Sequence, residues 1–252
     1  MSRMKYLLCI FGLLFSADAI SSECVVLLHG LARTSNSMAK LGERLSSNGY
    51  YVANVDYPSR KKTVTELSKL AINEGLQRCR DKGAKPINFV THSLGGILVR
   101  QYMKDHKHVD IGRVVMLGPP NKGSEVVDNL KNVPGFKLMN GLAGLQLGSG
   151  AADVPKSLGP VNFELGIIAG SQSINLILST FLPNPDDGKV SVESAKVEGM
   201  CGFIILPTTH PFMMKNKHVI AEIINFLRQG KFKSQNPKLL PKDEGLQAYC
   251  ST

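Results

Sequence analysis

The chain has 252 residues, of which 43% are hydrophobic and 20% charged. These values argue against a disordered chain, a collagen-like fibre or a polytopic membrane protein, and the length can bury a sizeable core without metal or disulfide staples. Lys and Arg exceed Asp and Glu by 30 − 20 = 10, but the basic residues are scattered, 6% of residues are aromatic and Trp is absent. The excess reads as a solvated basic surface with a weak pull toward anionic membranes, and no nucleic-acid partner is expected.

Arg3 and Lys5 precede an uncharged apolar run, Tyr6 to Phe15, and Ala17-Asp18-Ala19 follows as an A-x-A pattern. The run is well short of the ~20 residues a membrane-spanning helix needs. Residues 1–19 are therefore expected to be a cleaved signal peptide, leaving a soluble protein in the periplasm or the medium. Cys9 would leave with the leader. Cys24, Cys79, Cys201 and Cys250 remain, an even number whose wide spacings do not resemble a zinc site. Cys24 precedes the first core strand and Cys79 lies late in a helix. They are expected to pair, leaving Cys201 and Cys250 as a second bridge to the tail.

Short apolar runs then alternate with helical patterns. Cys24–His29 is a continuous β-rich run, suited to a strand covered on both faces. Met38, Leu41 and Leu45 recur at helical spacing before Gly49, and Tyr50–Tyr57 is a strand closed by Pro58. Thr63 and Glu66 form a capping box that opens a helix ending near Gly83. Strand Ile87–Thr91, helix Leu94–Lys107 and strand Arg113–Leu117 follow. Residues 121–160, rich in Gly, Ala, Leu and Pro, break the rhythm with only short helical patterns. Strands return at Leu165–Ala169 and Cys201–Leu206, a helix runs from Lys215 to Arg228, and residues 231–252 are expected to be a loose tail. Repeated strand–helix units predict one α/β domain over residues 20–230, with a parallel sheet and an insertion.

Three positions carry chemistry. Strand Ile87–Thr91 runs into Thr91-His92-Ser93-Leu94-Gly95-Gly96 and then a helix. That is the context of a nucleophile elbow, with Thr91 in the first small position and His92 expected to point away from Ser93. His29-Gly30-Leu31 ends an earlier strand and can bring a backbone N–H beside the serine. The oxyanion donors would be the amides of Leu31 and Leu94, with His29 structural. A serine needs a base and a carboxylate to orient that base. The acidic turn holding Asp186 and Asp187 follows Ser93, and His210 then ends a strand, where open α/β sheets place their sites. His218, inside the last helical pattern, is the competing base. These patterns do not separate Asp186 from Asp187.

In this order His29-Gly30-Leu31, the Ser93 segment, Gly118-Pro119-Pro120-Asn121-x-Gly123-Ser124, Asp187-Gly188-x-Val190 and Thr209-His210 resemble the bacterial lipase/esterase branch of the α/β-hydrolase superfamily. The resemblance spans about residues 24–230. It implies an α/β-hydrolase fold, mainly parallel sheet with helices on both faces, with Asp187 as the acid and residues 121–160 as a small lid or cap over the acyl pocket. The expected activity is serine hydrolysis of carboxylic esters by Ser93, Asp187 and His210. No metal or organic cofactor is required, and the partner is an ester or lipid substrate, with peripheral contact with lipid surfaces; no protein partner is inferable. The same triad would serve an acyltransferase or thioesterase. A non-enzymatic binding protein on this fold fits less well, because the Ser–Asp–His order is complete.

Overall fold

The computed structural model describes residues 23–106, 109, 111–236, 249 and 250. The expected leader, residues 1–19, lies outside the described residues. Elements follow in the order β1 (Cys24–Leu28), α1 (Ala39–Ser46), β2 (Tyr51–Val55), α2 (Val64–Arg80), β3 (Ile87–His92), α3 (Leu94–Asp105) and β4 (Val114–Leu117). Next come α4 (Glu125–Leu130), α5 (Phe136–Leu145), α6 (Val154–Ser157), β5 (Leu165–Gly170), α7 (Leu176–Ser179), α8 (Val192–Ala195), β6 (Gly202–Leu206) and α9 (Lys217–Gln229). The capping box forms as expected: the Glu66 amide donates to Thr63 Oγ1 and the Thr63 amide to Glu66 Oε2, which starts α2.

The six strands form one sheet in the order β2-β1-β3-β4-β5-β6, every pair parallel. All of β1 is buried because both faces are covered. Val26 and Leu28 join the cluster built with α2 and α3, while Val25 and Leu27 join the one built with α1 and α9. Each fully buried leucine contributes about 2 kcal/mol to holding these layers together. The chain runs from β1 outward to β2 and then returns to the other side of β1 as β3. Connections therefore leave the carboxyl ends of β1 and β3 in opposite directions, which opens a crevice between them.

The inserted segment, residues 121–160, folds into α4, α5 and α6. One buried side chain gathers its two ends. Arg100 on α3 donates to the carbonyl oxygen of Asn121 at 2.9 Å and to that of Gly159 at 2.7 Å, and burial pushes its pKa down to about 10. Helix α5 kinks at Gly141, whose φ of 67° suits glycine. Beyond the kink the segment is stitched to the body: the Leu142 amide donates to the Arg60 carbonyl oxygen and the Val64 amide to Gln146 Oε1. Before the kink, Leu138 and Met139 are exposed. The expected apolar face thus divides, with Leu147 buried, Leu145 half-buried, and Leu138, Met139 and Leu142 outward.

Cys24 is bonded to Cys79, and Cys201 to Cys250. The start of the expected loose tail is packed: Phe232 is buried beside Phe226, and the Lys233 and Ser234 amides donate to the Glu222 carboxylate. Residues 237–248 lie outside the described residues. Among the described residues, no helix is long and apolar enough to cross a membrane.

Candidate active site

The elbow is built by strand β3 entering helix α3 through one strained residue. Ser93 has φ 53° and ψ −118°, a region that side chains other than glycine seldom occupy. Its amide is held by the Leu117 carbonyl oxygen at 2.9 Å. Gly95 is required two residues later, because a Cβ there would stand 2.8 Å from the Leu28 carbonyl oxygen. Thr91, in the first small position, is fully buried and paired in register with Leu28 and Met116.

The acidic turn separates its two carboxylates. Asp186 Oδ1 accepts from the Gly188 amide at 2.7 Å and the Ser179 hydroxyl at 2.8 Å. Asp187 turns the other way. Its Oδ1 accepts from the Lys189 and Val190 amides, and its Oδ2 lies 2.7 Å from His210 Nδ1. Both Asp187 and His210 are buried, and the His210 amide also donates to the Asp187 carbonyl oxygen at 2.9 Å. A carboxylate there favours the Nδ1–H tautomer and leaves the lone pair on Nε2. Gly118, φ 51°, lies against this pair, where a Cβ would stand 2.8 Å from Asp187 Oδ2. His218 is exposed at the start of α9 and does not line the cavity described below.

His29 stacks on Tyr57 with ring centroids 3.9 Å apart, and the Tyr57 hydroxyl donates to the His29 carbonyl oxygen. Burial lowers the His29 pKa, so the ring is a neutral brace for the Gly30-Leu31 loop. The Ala32 amide is taken up by Ser59 Oγ at 3.1 Å. The Leu31 and Leu94 amides meet no acceptor among the described residues, so both remain available as donors.

Ser93, His210, Asp187 and Leu31 line one cavity of about 460 Å³, within the usual size range for small-molecule sites. The insertion supplies much of its apolar wall, including Val127, Phe136 and Leu147, and the segment before and within α7 adds Ile174 and Leu178. The sequence patterns did not reveal that second segment, since a four-residue helix has too little periodicity to register.

His92 differs from expectation. It is buried, lines the cavity, and its Nε2 is 3.0 Å from the His210 carbonyl oxygen, with ring centroids 4.7 Å apart. Burial first, then the nearby His210 and Arg33, hold its pKa well below the ordinary histidine value. The ring is therefore neutral and donates from Nε2. Arg33 and Lys189 also reach the cavity wall, and no sequence pattern had marked them. Among the described residues, no group of three or more His, Cys, Asp or Glu is placed to hold a metal.

A family model described as palmitoyl protein thioesterase matches residues 24–150, half of the chain. The chain belongs to that family. The match includes Ser93 and the Gly30-Leu31 loop and stops before Asp187 and His210. No curated protein matches significantly in sequence. Among solved structures, the mature form of lipase BlEst2 from Bacillus licheniformis is similar with a TM-score of 0.68 at 18% identity, covering 82% of this chain and 93% of that one. Phospholipase PlaB from Legionella pneumophila gives 0.58 at 19%, covering 71% of this chain and 46% of the phospholipase. An esterase from Exiguobacterium antarcticum gives 0.51 at 15%, covering 82% and 92%. At these identities the likeness shows the α/β-hydrolase fold.

Proposed function

We propose that this member of the palmitoyl protein thioesterase family is an exported serine hydrolase that releases acyl groups from carboxylic esters or thioesters through an acyl-enzyme. One observation carries the reading: the buried Asp187–His210 pair at 2.7 Å shares an apolar cavity with Ser93 on its strained elbow. Ser93 Oγ attacks the carbonyl carbon while His210 Nε2 takes its proton. Asp187 holds Nδ1–H and balances the imidazolium. The Leu31 and Leu94 amides receive the oxyanion, at roughly 3–4 kcal/mol of transition-state stabilisation per donor. His210 then protonates the leaving oxygen or sulfur, and the acyl-serine remains. Water, giving its proton to His210, attacks the acyl carbon, and the proton returns to Ser93 as the acid departs.

Two further features support the setting. The two disulfides suit an oxidising compartment. Exposed Met139 and Ile174 line the cavity, and exposed Leu138, Leu176, Ile177 and Phe212 are chain neighbours of lining residues, an apolar set suited to a lipid surface. The family match favours a thioester among the acyl substrates.

The deciding experiment labels the protein with a fluorophosphonate probe and maps the modified peptide. It then compares oxygen esters and thioesters of equal acyl chain, with Ser93→Ala alongside. Labelling at Ser93 and turnover lost in the variant are expected. Labelling elsewhere, or turnover that survives the substitution, would overturn the reading.

A further inference from the structure

Arg33 and Lys189 come from two different loops and meet at the same cavity. Arg33 lies two residues after Leu31, on the loop that follows β1, and Lys189 lies two residues after Asp187, on the acidic turn. The Lys189 amide is tied to Asp187 Oδ1 at 3.0 Å, which fixes where its side chain starts. Neither the guanidinium nor the ammonium has an ion-pair or hydrogen-bond partner among the described residues. Asp187, the carboxylate whose charge acts on Lys189, is already engaged by His210 and by two amides.

The Arg33 charge acts on Lys189. The cavity wall, followed by Arg33, pulls the Lys189 ammonium below its ordinary pKa, and both charges contribute to keeping His92 neutral. Both side chains are exposed at the edge of the apolar cavity, so water screens much of their repulsion in the empty protein, and the unfavourable part grows as a bound substrate displaces that water. A neutral ester would leave that cost in place. An anion between the two side chains would remove it, because each cation then gains a charge-assisted partner.

We propose that Arg33 and Lys189 form an anion subsite that selects acyl substrates whose leaving group carries a phosphate or carboxylate close to the scissile carbonyl. This rests on the Ser93 acyl-transfer reading. The acyl chain takes the apolar arm under the insertion, the carbonyl sits at Ser93, and the departing half lies between the oxyanion loop and the acidic turn. Specificity is then set by the leaving group as well as by chain length.

The test uses two soluble substrates with one acyl chain, 4-nitrophenyl butanoate and 3-carboxy-4-nitrophenyl butanoate. The wild-type protein is expected to favour the carboxylated ester by about ten-fold or more in kcat/KM, mainly through KM, with the preference shrinking in 0.5 M NaCl. Arg33→Gln/Lys189→Gln should abolish the preference, and Arg33→Lys/Lys189→Arg should retain most of it. A short-chain acyl glycerol phosphate below its aggregation limit, set beside phosphatidylglycerol vesicles, tells a soluble phosphate from a lipid headgroup. A wild-type protein that hydrolyses both butanoates equally, or a double Gln variant that loses equally on both, would overturn the subsite while leaving the hydrolase reading intact. Absence of Ser93-dependent turnover on the neutral ester would instead remove the hydrolase reading.

Discussion

His92 Nε2 donates to the carbonyl oxygen of His210 across 3.0 Å. The residue that precedes Ser93 therefore holds the loop that presents the imidazole. Removing that tether should displace the ring by a fraction of an ångström, and misplacements near 1 Å can cost about 10²-fold in rate. His92→Phe is expected to lower kcat by roughly ten- to a hundred-fold with KM little changed. His92→Gln, which keeps a donor, should retain more activity. Equal activity in all three proteins would show that the tether positions nothing.

Ser93→Ala and His210→Ala should each remove nearly all turnover, by about 10³-fold or more. Asp187→Asn keeps the shape but disturbs the tautomer, and roughly 10²–10⁴-fold is expected. Asp186→Asn should cost far less, because that carboxylate faces Ser179 and Gly188, and His218→Ala should be nearly silent. Steady-state kinetics on one soluble ester, with circular dichroism as the folding control, checks the ranking.

Stability should fall in mild acid. His29 and His92 are both held below the ordinary value of 6.5 by burial, so the folded protein keeps them neutral while the unfolded chain takes up protons. Their contribution is fully present above about pH 6.5 and is lost as pH falls toward the lower folded values. Each group adds a slope of up to about 1.4 kcal/mol per pH unit. Urea midpoints should be level from pH 8 to 7 and drop below 6.5, with His92→Gln giving a shallower decline. A midpoint independent of pH down to 5 would contradict neutral burial.

Much of this arrangement was legible in the chain. Short apolar runs marked all six strands, and the capping box at Thr63 and Glu66 marked the start of α2. Glycine spacing around Ser93 marked the elbow because close approach to Leu28 leaves no room for a Cβ at Gly95. Asp187 could not be told from Asp186 without the resemblance, since adjacent carboxylates differ only in where the turn aims them. The role of His92 was illegible for a related reason. Which way a residue faces at a strained turn depends on the loop after β6, more than a hundred residues away in the chain. Arg33, Lys189, Ile174 and Leu178 converge only through tertiary structure.

The Cys201–Cys250 bridge should guard the base. Cys201 immediately precedes β6, which among the described residues is an edge strand paired with β5 alone, and His210 follows that strand. Cross-linking residues 49 apart can contribute about 4 kcal/mol through chain entropy. The Cys201→Ser/Cys250→Ser variant is expected to lose amide-exchange protection in β6 and α9 before the central strands, with activity falling in step. Uniform loss of protection across the sheet would mean that β6 opens only with the whole fold.

The exposed apolar set can be tested apart from the chemistry. Leu138→Ser/Leu176→Ser/Ile177→Ser alters exposed side chains that adjoin lining residues in the chain without lining the cavity themselves. Sedimentation with phosphatidylglycerol vesicles should fall several-fold, while hydrolysis of a soluble butanoate changes by less than about two-fold. Unchanged sedimentation would leave the set with no part in lipid contact.

Arg100 makes the insertion a module. Because its guanidinium collects the carbonyls of Asn121 and Gly159, the segment leaves and rejoins the body at nearly one point. The sheet therefore does not sense how long the segment is. Closing a longer flexible excursion costs only about 0.6 kcal/mol per doubling of length. Most of the apolar wall of the cavity is carried on that excursion, whereas Ser93 and His210 follow strands outside it and Asp187 lies on the acidic turn, also outside it. Chain-length preference can thus diversify by exchanging one surface segment, at a rate uncoupled from the residues proposed to perform the reaction.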